Sequence, residues 1–417
     1  MEQIAKPHCG ARLDRLPDCR WHASMFAMVA FGLLVCWSNA VGGLILAQLK
    51  DLGWTDNSTT ATFSAITTAG MFLGALGGGI IGDKIGRKNA FILYEAIHII
   101  AMVIGAFSPN MIFLIACRFI MGVGLGALLV TLFAGFTEYM PGRNRGTWSS
   151  RVSFIGNWSY PLCSLIAMGL TPLISAEWNW RVQLLIPALL SLIATVIAWR
   201  SFPESPRWLE SRGRYAEAEK VMRAIEERVV QQTGKPLPPV VIEDDGKAPR
   251  AVPYSALLTG VLLKRVILGS FVLIAMNVVQ YTLINWLPTI FMTQGINLKD
   301  SIVLNTMSMF GAPFGIFIAM LVMDKIPRKT MGVGLLVLIA VLGYIYSLQT
   351  SMLLITLIGF FLITFVYMYV CYASAVYVPE IWPTEAKLRG SGLANAVGAS
   401  AVSPHPMRWR YYLTAMA

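Results

Sequence analysis

Long apolar runs alternate with short polar breaks rich in Gly, Pro and charge along most of the chain. A helix of roughly 20 consecutive apolar residues crosses the hydrocarbon core of a bilayer. The pattern predicts such helices over residues 25–47, 61–82, 89–107, 111–135, 152–173, 182–199, 266–290, 302–323, 331–348 and 352–377. The fold class that follows is an all-α polytopic membrane protein. Gly recurs inside the runs among Leu, Ile, Val and Phe. Small residues let helices approach closely where lipid supplies no hydrophobic drive between them.

A polar stretch over 200–265 separates six runs from four. Within it, Tyr215, Ala218, Val221, Met222, Ile225 and Val229 recur at helical spacing. Glu219 and Arg223 stand at i,i+4 and support a surface helix. The stretches "KPLPPVV" and "EDDGKAP" read as flexible connector.

Two charged heptapeptides are nearly identical: "GDKIGRK" (Gly82–Lys88) follows the second run and "MDKIPRK" (Met323–Lys329) the eighth. Two runs later in each case, Glu138-x-x-Pro141 leads to Arg145-Gly146, and Glu380-x-x-Pro383 leads to Arg389-Gly390. A common offset of about 240 residues predicts duplication of a six-span unit. The organisation expected is an N-terminal six-helix half (1–199), a linker with an amphipathic helix (200–265) and a second half (266–417). The second half reads as incomplete. An eleventh run starts as "GSGLANAVGAS" and gives way to "AVSPHPMRWRYYLTAMA", a stub too polar and Pro-rich to cross a bilayer. A frameshift or premature end of the coding sequence is the expectation, with about ten full spans.

Composition sharpens this. The chain is 56% hydrophobic and 13% charged, with a mean hydropathy of +0.62. A soluble domain is about 45–50% apolar and about 25% charged. The net charge of +11 could suggest nucleic acid. Most of the 33 Lys and Arg fall in the N-terminal tail and in every second loop, whereas the opposite loops hold Lys50, Arg181 and Lys299. That asymmetry predicts a cytoplasmic N-terminus and no nucleic-acid partner. The first 20 residues are polar, unlike a signal peptide, and His8 beside Cys9 reads as solvated tail. The six cysteines form no C-x-x-C pair, so neither a disulfide framework nor a metal site is expected. No nucleophile–base or metal constellation and no Walker-A lysine is present, which argues against an enzyme, a cofactor and ATP-driven transport.

Four motifs carry a resemblance to a known family: Gly79-x-x-x-Asp83-Lys84-x-Gly86-Arg87-Lys88, "RFIMGVG" with Arg118, Gly122 and Gly124, "PESPRWL" (Pro203–Leu209) and "PEIWPTEAKLRG" (Pro379–Gly390). With the span order, the chain to about Gly398 resembles the major facilitator superfamily, in its sugar-porter-like and metabolite:proton symporter branch. The resemblance implies two pseudo-symmetric six-helix halves rocking about a shared site. It also implies a latch at the cytoplasmic ends, from Asp83, Arg87, Glu138, Arg145, Glu204 and Arg207 in the first half and Asp324, Arg328, Glu380 and Arg389 in the second. Simple snorkelling or topology charge is the other reading of these residues.

Charges inside spans are costly and point to function. Arg118 matches the family's span-four arginine, which works opposite an acid in span one. Here span one holds only Ser38 and Asn39, so that pair is not carried over. Glu95 in span three is the substitute, with His98 on the same helix face, since a buried Glu can trade protons near neutrality. Alternatively Glu95 pairs with a loop base. Arg118 serves as coupling partner or as counter-ion for a carboxylate substrate. Polar candidates for a midplane site are Asn39, Asn157 and Trp158, then Asn277, Gln280, Tyr281 and Asn285 in span seven, and Tyr369 and Tyr372 in span ten. Amides with aromatic platforms suit a sugar, polyol, sugar acid or organic acid. Helix–helix hydrogen bonding is their other use. The expected partners are the bilayer, a small polar solute and protons. Import across a bacterial inner membrane stands beside efflux antiport and a truncated, inactive product as readings.

Overall fold

The computed structural model describes residues 7–35, 40–141, 145–240, 254–293, 295–323, 325–349, 351–382 and 387–400. Asn39, Asp324 and the stub from 401 therefore lie outside the described residues, as do the side chains of Arg145, Asn285 and Arg389. The described chain is helical, without strands.

A short tail helix, α1 (Cys9–Asp14), precedes α2 (Arg20–Val35) and α3 (Gly42–Asp51). The first half continues with α4 (Asn57–Ile85), α5 (Arg87–Ala106), α6 (Met111–Tyr139), α7 (Arg145–Asn157), α8 (Ser159–Leu170) and α9 (Ala176–Ser201). The linker holds α10 (Pro206–Ser211), α11 (Tyr215–Thr233) and α12 (Tyr254–Leu257). Then come α13 (Gly260–Thr293), α14 (Leu298–Met309), α15 (Gly311–Val322), α16 (Arg328–Ser347) and α17 (Met352–Val370). A π-helical segment (Cys371–Tyr377), α18 (Val378–Glu380) and α19 (Lys387–Ser400) complete the described chain.

Among the described residues, eight stretches are long and apolar enough to cross a membrane. The sequence predicts ten, and the difference lies in the first and fifth runs. The first is divided between α2 and α3, the fifth between α7 and α8. The break at Trp158 has a clear cause: Pro161 cannot donate to the Asn157 carbonyl, and its ring crowds it. Pro313 does the same to Met309, and α14 gives way to α15 at Phe310.

Polar caps start the helices. Asp56 accepts from Thr59 N (2.8 Å) at α4, Asn110 from Phe113 N (2.9 Å) at α6 and Asn297 from Asp300 N (2.9 Å) at α14. The outer faces are greasy: Val333, Val337 and Val341 form an exposed stripe on α16, and Leu353, Leu357 and Phe361 another on α17. Contiguous apolar surface of this kind is rare on soluble monomers and suits lipid.

The duplication is visible in packing. On α4, a Cβ at Gly70 would collide with the Phe119 carbonyl of α6, and one at Gly74 with the Val123 carbonyl. On α15, Gly311 meets the Phe360 carbonyl of α17 in the same way, and Gly315 that of Thr364. All four residue pairs are related by the same shift of 241 positions, which also superposes Asp83 on Asp324 and Arg87 on Arg328.

Three apolar clusters build the interior. One spans the second half from Leu257 to Ala394. Another gathers α1, the linker helices and the adjoining ends of α2, α5 and α6. The third fills the opposite end of the first half around Trp180, and there Ile302 of α14 joins it. The two halves meet along α7–α8 and α14–α15, running antiparallel. Phe154 packs on Phe317 (6.2 Å between ring centroids), Trp158 on Phe310 (6.3 Å), and the Asn305 Nδ2 donates to Ser164 Oγ (3.2 Å). The two proline-induced breaks thus face each other across the interface.

Candidate functional site

At the end of the bundle that carries the tail and linker, Gly86 closes α4 with φ +98°. A side chain there is strained, and its Cβ would strike the Glu204 carboxylate. Relieved of that obstacle, Glu204 Oε1 accepts from the backbone N–H of Arg87 (2.7 Å) and Lys88 (3.2 Å), the first residues of α5. A carboxylate at a helix N-terminus satisfies open donors and meets the positive end of the dipole. Arg87 turns back to Asp83 (2.6 Å) and across to Glu138 (Nε 2.9 Å, Nη2 2.8 Å). Trp208 Nε1 (2.7 Å) and Arg212 Nε (3.1 Å) donate to the Asp83 carbonyl. Asp83, Arg87, Glu138 and Glu204 are therefore brought together, as the sequence predicts. In the second half Arg328 pairs with Glu380 through two 3.0 Å bonds. Among the described residues, ion pairs of these motifs join groups within one half.

Arg207 departs from the expected grouping. It reaches Asp14 Oδ1 (3.0 Å) of the tail. The tail itself is no solvated strand. Cys9, Leu13 and Leu16 are fully buried, packed with Ala218, Met222, Ile225 and Val229 of α11. Arg12 holds Glu226 (2.6 Å) and Glu219, and Arg15 holds Glu226 (2.6 Å). Burial pushes the Cys9 thiol up to about 12, with Glu210 beside it adding to the effect. Burial raises the Glu226 carboxyl, but Arg12 and Arg15 outweigh it and leave the group below its ordinary range. Sequence reading missed this docking because Arg12 and Arg15 look like topology charge, and α1 is too short to show a period.

Inside the spans, Glu95 and His98 are both fully buried. Neither carboxylate oxygen of Glu95 has a hydrogen-bond partner among the described residues, so the expected alternative of a loop base is not what the structure shows. His98 Nδ1 lies 3.0 Å from the Met121 carbonyl. Arg118 is buried, its guanidinium over the Phe63 ring (4.7 Å) and near Met121 Sδ (4.0 Å).

Between the halves, Tyr160 of α8 and Tyr367 of α17 pack edge-to-face with centroids 5.5 Å apart. The Tyr367 hydroxyl is buried close to Tyr160, Gln280 and Tyr281 without reaching hydrogen-bond geometry. Of the expected site residues, Gln280 and Tyr281 lie near this pair, whereas Tyr160 and Tyr367 were not singled out. They sit among many span aromatics and carry no local signature. Asn277, three residues from Gln280, faces Gly398 of α19. Asn157 Nδ2 returns to the Ser153 carbonyl (2.7 Å) of its own helix, and Trp158 meets Phe310. Tyr369 and Tyr372 lie elsewhere. Tyr369 donates to the Val272 carbonyl (3.4 Å), two turns of α13 from Gln280, and packs at a tilt on Tyr372, which stacks on Tyr377 beside the Arg328–Glu380 pair. Tyr369 follows Tyr367 by two residues and so leaves α17 on a different face, and Tyr372 stands in the π-helical segment that follows. Among the described residues, no three His, Cys, Asp or Glu side chains converge as a metal site.

The family model described as the Major Facilitator Superfamily matches residues 12–404. YdjK of Escherichia coli (strain K12), which bears the name of a metabolite transport protein, is 94% identical over 398 residues, covering 95% of this chain and 87% of its own. The inner membrane metabolite transport protein YdjE of the same organism is 43% identical over 392 residues, 93% of this chain and 86% of its own. Among solved structures, a partially occluded inward open form of the xylose transporter XylE from E. coli has the same fold, with a TM-score of 0.69 at 17% identity over 93% of this chain and 91% of that one. Helical content, duplicated packing and family model agree, and the chain belongs to the Major Facilitator Superfamily of membrane transporters.

Proposed function

We propose that this protein carries a small polar metabolite, a sugar, polyol, sugar acid or organic acid, into the cell across a bacterial inner membrane by proton-coupled alternating access. The N-terminal tail and linker lie in the cytoplasm. The observation that carries this reading is the meeting of Tyr160 from the first half with Gln280, Tyr281 and Tyr367 from the second. A solute gripped there touches both halves, so its binding responds to their relative tilt. Amide and phenol groups donate and accept, and aromatic faces cover apolar ring surface. Arg118 offers a counter-ion for an acidic solute.

The antiparallel contact of α7–α8 with α14–α15 is the fulcrum. Asp83, Arg87, Glu138 and Glu204, with Arg145, form one side of the cytoplasmic gate, and Asp324, Arg328, Glu380 and Arg389 the other. Such pairs are strong when dry and weak when water enters. The names of YdjE, an inner membrane metabolite transport protein, and of the proton:xylose symporter XylE support the reading.

The test is a thermal-shift screen of the purified protein against sugars, polyols, sugar acids and organic acids, followed by uptake of each hit into proteoliposomes. A hit whose stabilisation disappears in Gln280→Ala supports the site. A hit that also needs Arg118 identifies an acid. Stabilisation by hits that survives both Gln280→Ala and Tyr160→Ala would place the solute elsewhere.

A further inference from the structure

We propose that α5 contains a two-group proton site, in which Glu95 holds a proton as a neutral acid and His98 Nε2 is the acceptor for it. The inference deepens the transport reading and rests on it only for the use made of the proton.

Position comes first. Phe91 and Tyr94 of α5 belong to the apolar cluster at the tail-bearing end, and Ala101 and Met102 to the one at the opposite end. Glu95 and His98 lie between them, at the seam of the first half. They are three residues apart, on the same face of the helix, and both are fully buried. The helices packed against α5 are α6, α9 and α4. Of these, α6 brings Arg118 toward His98. Titratable groups on α4 and α9 are confined to their ends: Asp83 and Lys84, and Glu177, Arg181 and Arg200.

Chemistry follows. Both Glu95 oxygens are buried without a partner among the described residues. An ionised carboxylate in that setting forfeits several kcal/mol of solvation, which proton uptake avoids. The histidine tautomer is fixed by its neighbour. A carbonyl oxygen only accepts, so the 3.0 Å contact with Met121 requires the hydrogen on Nδ1. Nε2 of the neutral ring is then a bare acceptor, and it too is buried without a partner among the described residues. No hydrogen bond joins the two side chains as they stand, so transfer passes through a side-chain rotation or a bridging water; it breaks the Glu95 O–H bond and forms an Nε2–H bond. It leaves a carboxylate and an imidazolium one turn apart, an arrangement that gains from their mutual attraction. Separation of α5 from α6, admitting water, completes release to either side.

Infrared difference spectroscopy of the full chain in lipid, across a pH titration in H2O and in D2O, tests the site with the proton itself as probe. The wild type is expected to show the C=O stretch of a protonated carboxyl at pH 7, and Glu95→Gln to lose it. Where the band weakens before the carboxyl releases its proton to solvent, imidazolium ring bands should rise in step, and His98→Gln should show neither change. Carboxyl-13C glutamate in the wild-type chain must move the band, a readout that needs no substitution to fold. A wild type without the band at pH 7, a band unmoved by the isotope, or one retained in Glu95→Gln overturns the assignment of the proton to Glu95. Weakening of the carboxyl band with no matching imidazolium bands overturns the role of His98. Absence of solute uptake with the band intact overturns the transport reading and leaves the proton site standing.

Discussion

Arg328 grips Glu380 with two parallel hydrogen bonds, Nε to Oε2 and Nη2 to Oε1, each 3.0 Å. Its counterpart in the first half, Arg87, divides the same fork between Asp83 and Glu138. The two arginines differ in burial. The Arg87 and Glu138 side chains are 17% and 19% exposed, against 31% and 49% for Arg328 and Glu380. Substitution by Lys keeps the charge and loses the planar fork. In Arg87→Lys, half-buried groups lose partners, and thermal or denaturant unfolding should show a cost of about 1–3 kcal/mol. In Arg328→Lys the cost should stay within about 1 kcal/mol. Equal costs for the two would contradict the asymmetry.

Gly74 and Gly315 stand at equivalent points of the repeat, each against a carbonyl of the neighbouring helix. Ala at either position has to push two backbones apart. Each change should destabilise by about 1–3 kcal/mol. Gly77, where added bulk meets open space, provides the control and should tolerate Ala. The measurement is melting of the detergent-purified variants, and a Gly74→Ala protein as stable as Gly77→Ala would count against the close approach.

Much of this was readable before any coordinates. Hydropathy alone locates the spans, because lipid leaves a one-dimensional signature in the sequence. The repeated heptapeptides give the duplication, and the family resemblance, rather than any local pattern, groups Asp83, Arg87, Glu138 and Glu204. Proline breaks at Trp158 and Phe310 were written as Pro161 and Pro313, but apolar runs hide helix breaks when composition does not change across them. The proposed solute site was half legible. Gln280 and Tyr281 stood out as polar groups in a span. Tyr160 and Tyr367 did not, since which aromatic meets which depends on how two halves are docked. Tyr369 and Tyr372 stood out as polar groups of span ten, but Tyr369 lies two positions past Tyr367 on the helix, and it turns to the Val272 carbonyl instead.

The docking of the tail has a pH window. Glu219 and Glu226 both sit below their ordinary range: burial raises each carboxyl, and their arginine partners more than offset it. Groups depressed in the folded state stabilise it above their unfolded value, about 4.3 for Glu, and lose that contribution as pH falls through the folded one. The tail should remain docked at neutral pH and come loose in acid below about 4.3. Cys9 reports on it. Buried, with its thiol held up near 12, it should resist alkylation at pH 7. Peptide mapping by mass spectrometry should show rapid labelling in Arg12→Glu, and labelling of the wild type as fast as of that variant would contradict the docking.

The claim on which everything else depends is that two lobes tilt against each other about the Trp158–Phe310 contact. Pulsed dipolar distances between spin labels at Lys84 and Lys325, on the tail-bearing end, and between labels at Glu177 and Lys299, on the opposite end, test it directly; all four positions are exposed. The account predicts two distance populations for each pair, shifting in opposite senses, so that one end lengthens as the other shortens when pH or a stabilising solute is changed. A single invariant distance for both pairs, or two ends that open and close together, would contradict it.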